Sequence, residues 1–520
     1  MALKDLNRRE FLVPAAAGLA FSIVPRHVLG GQGYVAPSDK LTIAYIGCGT
    51  QGTREMLRLI ANPDVHITSV CDPVKDGEFY IDWDKTGIRD SIRKTLEIPT
   101  WGSNIKGIRG GRDMAKEIIT TYYAKKRATE TYKGCNTYAD WRELLAQEKD
   151  LDAVKIMTPD HHHARISVTA MRAGKHVLVH KPLSNRVAEV RLVVDTARQT
   201  KKATHLLAYH APITAVRDMI LDGAIGTLRE VHNWTDRPFW PQQLQLPKDR
   251  PPVPQGLDWN LWLGGSLDRP YSPVYTFAVF RGWYEFGGGS IADMGNYSLW
   301  PIFTALDLPV PYSVEAQCSS SCQIDDGVST ITANDFAFPY ANQVKFKFAA
   351  HGNWPALDLY WYDGGMRPFT IPELEEDKKS MPATGSMFVG DKGIILDNAI
   401  IPAKKMTAYR ASKGIPEPAA GGRGGRGGGG GGAAGGAGGD SMWVQAFKGG
   451  PASPGNFINA ANCSEAIALA AAAMRISRKN FGENKAVPAL QWDAANMKFT
   501  NMPEANQYLV REYRDGWKLV

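Results

Sequence analysis

Leu41-Thr42-Ile43-Ala44-Tyr45-Ile46 runs directly into Gly47-Cys48-Gly49-Thr50-Gln51-Gly52, after which Met56, Leu57, Leu59 and Ile60 recur at helical spacing. A continuous apolar run of this length suits a strand buried on both faces, as in a parallel sheet. The glycines then have separate tasks: the first allows a tight turn, the second lets backbone approach a pyrophosphate, and the third lets the helix pack close to the strand. The next apolar run, Val65 to Val70, leads to Asp72, 20 residues beyond Gly52. A carboxylate there can accept hydrogen bonds from ribose hydroxyls and repels a 2′-phosphate, so the spacing points to NAD rather than NADP, and to Gly47, Gly49, Thr50, Gln51, Gly52 and Asp72 as its contacts.

Working outward, the pattern predicts a helix over Tyr138 to Leu145, a strand over Ala153 to Met157, a helix over Ala164 to Ala173 and a strand over Val177 to Val179 leading into His180-Lys181-Pro182. A helix over Glu189 to Thr200 and a strand around Ala203 to Ala208 complete an α/β doubly wound parallel sheet across residues 36–209. An insertion at about 74–132, with a helix over Asp113 to Lys126, carries no chemistry legible from its residues. Ligands of such sheets bind beyond the carboxyl ends of the strands, where Gly47, Asp72, Thr158 and Lys181 fall.

From 210 to 520 the character changes. A helix over Thr214 to Leu221 precedes runs rich in aromatic and β-branched residues at Leu228 to Thr235, Asp335 to Pro339 and Gln343 to Ala349. These suggest a second α/β domain with a large, mostly antiparallel open sheet. Residues 421–439 hold 14 glycines in 19 positions, with Arg423 and Arg426, and read as a mobile inserted loop rather than an RNA-binding tail.

Two domains also suit a chain of 520 residues, and 44% hydrophobic, 10% aromatic and 22% charged residues fit an ordinary globular body. Six scattered cysteines imply neither a disulfide framework nor a zinc site. The charge of +7 is too dilute over this length for a nucleic-acid partner. Some of it lies in residues 1–35, where Arg8-Arg9 precede the short apolar stretch Leu12 to Val24. That segment resembles a twin-arginine export signal and is too short to span a bilayer, which leads to the expectation of a periplasmic or otherwise exported protein without a stable membrane span.

Gly-Cys-Gly-Thr-Gln-Gly, Thr158-Pro159-Asp160-x-x-His163 and His180-Lys181-Pro182 together resemble the Gfo/Idh/MocA oxidoreductases. The likeness continues at Phe457 to Met474, read as a helix, and at Trp492-Asp493 and Arg514-Asp515-Gly516-Trp517, so that 457–520 would pack back on the first domain. It implies a Rossmann domain followed by an open-sheet domain that assembles homo-oligomers, NAD held tightly, and Thr158, Pro159, His163 and Lys181 at the cofactor. It also implies that Lys181 works with an Asp-x-Gly-x-His motif; here that motif reads Asp293-Met294-Gly295-Asn296-Tyr297. His180 stands where the family usually has Glu, and Tyr297 where it usually has His; branches of the family with Tyr at that place use it as acid/base.

Oxidising an alcohol carbon requires a base at the hydroxyl, and a nearby ammonium can bring a phenol within reach of that role. Lys181 is then the charge that activates Tyr297, with Asp293 orienting the pair and His180 as a second proton carrier. In the other reading, Lys181 and Asp293 form an ion pair and Tyr297 packs. His210, Arg281 and Trp283 are candidate substrate contacts, because aromatic faces with charged residues between them suit sugars, although many of the tryptophans belong to the core. His161 to His163 lack a spaced partner for metal. The resulting expectation is an NAD(P)-dependent oxidoreductase, with NAD favoured over NADP, acting on a sugar or glycoside hydroxyl. The alternatives are a glycosidase working through transient oxidation and elimination, and a non-catalytic sugar- or cofactor-binding protein.

Overall fold

The computed structural model describes residues 39–130, 132–416 and 439–519. The twin-arginine segment and residues 421–438 of the glycine-rich stretch lie outside the described residues. The first sheet contains β1 (Leu41–Ile46), β2 (Val65–Cys71), β3 (Asn136–Tyr138), β4 (Ala153–Ile156), β5 (His176–Val179) and β6 (Thr204–Leu206) in the order β3-β2-β1-β4-β5-β6. All its pairings are parallel. Helices cover both faces, so the central strands are almost wholly buried, which is why β1 and β4 read as continuous apolar runs rather than alternating ones. The sheet's carboxyl edge presents Asp72, Gly47, Thr158 and Lys181 in spatial order, following β2, β1, β4 and β5.

Several boundaries differ from the sequence reading. Tyr138 ends β3, and the following helix runs over Trp141–Gln147, started by Asp140, whose carboxylate accepts from the Arg142 amide. The insertion holds a second helix, Gly87–Leu96, besides Arg112–Lys126. Both pack on the β2 side of the sheet, and Arg127 anchors their end through the carbonyls of Val65 and Ile60.

The second sheet has nine strands. Its centre is formed by β7 (Leu228–Trp234), β8 (Ser313–Cys318), β11 (Asn342–Phe348), β12 (Leu357–Asp363) and β13 (Gly385–Gly390), with the exposed hairpin β9 (Cys322–Asp325) and β10 (Val328–Ile331) standing apart from it. Only β7 and β12 pair in parallel. Asp335 to Pro339 is not a strand: it makes a single bridge from Ala337 to Trp283, and Arg478 holds the Ala337 carbonyl. The helix expected from Phe457 begins at Ala461 and runs to Gly482. Its alanine-rich middle lets it lie close to β8 and to the helix Val187–Thr200 of the first domain. One hydrophobic core therefore runs through both domains.

The last residues close the seam between them. Arg511, buried, binds Glu189 of the first domain at 2.9 Å and Glu285 of the second at 2.9 Å. It also reaches the Asn185 side chain, while Asn185 holds the Gly287 carbonyl. Among the described residues, no helix is long and apolar enough to cross a membrane.

Candidate active site

A single cavity of about 620 Å³ runs along the carboxyl edge of the first sheet, from Gly47, Gly49 and Asp72 past Thr158 and Pro159 to His180, Lys181, Asp293 and Tyr297. The turn after β1 requires glycine. Gly47 has φ +101°, and a Cβ there would press on the Met157 carbonyl, while one on Gly52 would overlap the Gly47 carbonyl oxygen. The helix Thr50–Leu59 starts at Gly49 with no side-chain cap, which leaves its first amides to an anionic partner. The buried Thr158 hydroxyl has no partner within the protein. These features fit a dinucleotide pyrophosphate, held by the Gly47 to Gly52 turn.

Asp72 sits where a ribose acceptor would be, and it also supports the turn. Its carboxylate accepts from the amides of Cys48 (2.6 Å) and Val74 (2.8 Å). Burial pushes it up to about 6, and those two hydrogen bonds work against the rise.

At the far end, Lys181 Nζ forms an ion pair with Asp293. Arg281 lies 3.5 Å from the same Asp293 oxygen and 3.0 Å from Asp160, a carboxylate that also accepts from the Gly288 amide. Burial, and next the positive charge of Arg281, lower Lys181 to about 8 against the pull of Asp293. Asp293 stays below the ordinary carboxylate value: burial would raise it, but Lys181 and Arg281 outweigh that. The two shifts share a cause in Arg281, which makes the ammonium easier to deprotonate and the carboxylate harder to protonate.

The expected activation of Tyr297 by Lys181 is corrected by this geometry. The ammonium lies over the face of the Tyr297 ring, 5.3 Å from its centre, and is committed to Asp293. Burial, followed by the negative charge of Asp293, pushes the phenol up, so Tyr297 keeps its proton. Its hydroxyl lies 3.3 Å from His180 Nε2. Burial, reinforced by Lys181, holds His180 well below its usual value, so the imidazole is neutral; with its proton on Nε2 it donates to the phenol oxygen and leaves the phenol's own hydrogen free. Tyr297 is thus a hydrogen-bond donor, and Lys181 is the group with a proton to exchange near neutral pH.

Three further expectations are corrected. His163 is not on the cavity wall: its ring nitrogens lie 2.6 Å from the Pro182 carbonyl and 2.8 Å from that of Thr158, so it ties the ends of β4 and β5 together. Trp283 is core; it donates to the Val274 carbonyl at 2.6 Å and packs against Tyr275. His210 packs its ring against Tyr297, 5.4 Å between centres, behind the cavity wall. Arg281 does line the cavity, and the structure adds Arg237, Phe239 and Trp240 near it. It also adds Tyr80 to Trp83 from the insertion and Phe277 to Phe280 from the second domain. The sequence signal for the former was the cluster Phe79-Tyr80-Ile81-Asp82-Trp83 inside an otherwise polar loop.

The parallel sheet and its glycine turn have the form of a dinucleotide-binding Rossmann domain. Residues 111–207 match the Gfo/Idh/MocA sequence model described as oxidoreductase family, NAD-binding Rossmann fold, and residues 213–353 match its companion C-terminal alpha/beta domain. Curated relatives include a dTDP-3,4-didehydro-2,6-dideoxy-alpha-D-glucose 3-reductase from Streptomyces violaceoruber, 40% identical over 107 residues that make up 20% of this chain and 31% of the relative. A levoglucosan dehydrogenase from Pseudarthrobacter phenanthrenivorans is 34% identical over 97 residues, 18% of this chain and 24% of the relative. A glycosyl hydrolase family 109 protein from Shewanella pealeana is 27% identical over 241 residues, 43% of this chain and 44% of the relative. The chain thus matches between a quarter and just under half the length of these relatives.

Proposed function

We propose that the protein is an NAD-dependent oxidoreductase acting on a CH–OH carbon of a sugar or glycoside. The observation that carries this reading is the continuity of one cavity from the Gly47 to Gly52 turn to the Lys181–Asp293–Arg281 cluster and Tyr297. Bound NAD would supply the two-electron acceptor. The chain's residues handle the proton: the Lys181 amine, uncharged in a sizeable fraction because its value is about 8, accepts from the substrate hydroxyl. Tyr297 donates a hydrogen bond to the oxygen on which negative charge develops, and Asp293 fixes the amine. In the reverse direction the charged Lys181 returns the proton. Arg237, Phe239, Trp240 and Arg281 line the part of the cavity where a sugar's apolar CH face and its hydroxyls would both find partners.

A second reading, transient oxidation followed by loss of the glycosidic substituent and re-reduction, gains support from the 241-residue match to a glycosyl hydrolase family 109 protein. Denaturing the purified protein, identifying the dinucleotide released and assaying a panel of sugars and aryl glycosides separates the readings. Net NADH formation supports the dehydrogenase. Glycoside cleavage without net NADH supports the second reading. Absence of any dinucleotide, with none bound on addition, contradicts both.

The reading includes export by the twin-arginine route, supported by Arg8-Arg9 and Leu12 to Val24. Fusion of residues 1–35 to a reporter should give Tat-dependent export, and a cytoplasmic reporter would count against it. It also includes a homo-oligomer formed through the second sheet. Its outer face carries Gln343, Lys345 and Lys347 alternating with core residues, so it offers a continuous half-buried surface. Sedimentation as a monomer at micromolar concentration would reject that part.

A further inference from the structure

The insertion after β2 sends a short segment back across the start of the helix Thr50–Leu59. Tyr80 lies against Gly49, close enough that a Cβ on that glycine would come within 3.2 Å of its ring. Two residues on, Asp82, whose side chain is buried, forms a 2.6 Å ion pair with Arg54 of the helix, whose guanidinium also stacks over Trp83 at 4.3 Å. Tyr80 to Trp83 form part of the cavity wall beside the glycine turn.

The other side of this segment is fixed to the second domain. The Tyr80 ring lies 4.2 Å from that of Phe277, and Phe79 lies 5.5 Å from it. At the root of the insertion, the Lys75 amide donates to the Gly256 carbonyl at 2.7 Å, and the Asp258 amide donates to the Pro73 carbonyl at 3.0 Å. The segment is therefore held at both ends, by Arg54 on the first domain and by Phe277 and the 256–258 loop on the second.

We propose that Phe79 to Trp83 is a cofactor-binding strap, with Asp82 and Trp83 as its retaining residues, which keeps a dinucleotide bound between turnovers. This rests on the reading that the cavity takes NAD. The strap's contacts with Arg54 and Phe277 stand beside the Gly49 to Gly52 turn and keep its residues against an anion bound there. A cofactor so held acts as a resident group, which suits a reaction that returns it to its starting state within each cycle.

The test uses the full chain loaded with NADH and mixed with excess NAD, with release followed by loss of NADH fluorescence. Asp82→Asn removes the charge that pairs with Arg54 and should speed release about tenfold or more, as expected for loss of a charge-assisted hydrogen bond. Trp83→Ala provides a second variant whose fold is not at risk, since Trp83 is 65% exposed; it should speed release in the same direction. Release within about twofold of wild type in both variants, both still folded by circular dichroism, would overturn the strap while leaving the cofactor reading intact. Failure of the wild-type protein to bind NADH or NAD at all would overturn both.

Discussion

The Lys181 ammonium lies over the Tyr297 ring, 5.3 Å from its centre, and its ion-pair partner is Asp293. On the proposed function the two residues divide the proton chemistry. Lys181, lowered to about 8 mainly by burial, can exchange a proton, whereas Tyr297 is held above its ordinary value and keeps its proton as a hydrogen-bond donor.

Tyr297→Phe should lower turnover by roughly 100-fold, the scale for losing one preorganised donor to a developing oxyanion, and should leave the pH at which activity rises unchanged. The fold should survive, since the ring and its packing against His210 are kept. Measured pH profiles of the two proteins check this. Loss of the rising limb itself in Tyr297→Phe would reinstate the phenol as the base.

Asp72→Ala should weaken both NAD and NADP, because the Cys48 and Val74 amides lose their acceptor and the glycine turn loosens. NAD should suffer more, since the same carboxylate would accept from the ribose and repel a 2′-phosphate. Equal losses in titrations with the two dinucleotides would remove Asp72 from the ribose.

Arg511→Met should destabilise the protein by about 3 kcal/mol, as it leaves buried Glu189 without its arginine and Glu285 with Arg186 alone in the domain seam. Burial alone would raise Glu285, but Arg511 and then Arg186 hold it at about 2. Because that folded value is depressed, the stabilisation is complete above the ordinary glutamate value of about 4.3 and is lost as pH falls toward 2. Denaturant titrations of wild type and Arg511→Met should converge over that acid range. A constant gap down to pH 2 would show that Glu285 is not the partner that matters.

The cofactor end of this site was legible in the sequence because its determinants are local: strand, glycine turn, helix and the carboxylate after the next strand are fixed by backbone geometry over some 30 residues. The reaction end was legible as a set of residues, Lys181, Asp293, Tyr297 and His180, but not in its electrostatics. Which atom of Tyr297 faces the ammonium depends on how two domains meet, and no spacing encodes that. Trp283 and His163 were misplaced for a related reason. A tryptophan in a loop looks alike whether it lines a cavity or, as here, donates to Val274 in a core, and a histidine at a strand end can serve two carbonyls as well as a ligand. The strap at Phe79 to Trp83 was missed because it has no period, only an aromatic cluster that does its packing across the domain boundary against Phe277.

The most direct test of Lys181 as the proton carrier is the pH dependence of kcat/KM for oxidation of a substrate found in the sugar panel, in wild type, Asp293→Asn and Arg281→Gln. Wild-type activity should rise through pH about 8 as the amine loses its proton. Asp293 holds the proton on Lys181, so Asp293→Asn should move the rise to lower pH, by about one pH unit or more. Arg281 expels it, so Arg281→Gln should move the rise to higher pH. Because the Tyr297 phenol feels the same two charges in the same directions, opposite displacements from the two substitutions, with the rise retained in Tyr297→Phe, would place the titrating proton on Lys181; a rise that stays fixed, moves the same way in both, or is lost in Tyr297→Phe would contradict it.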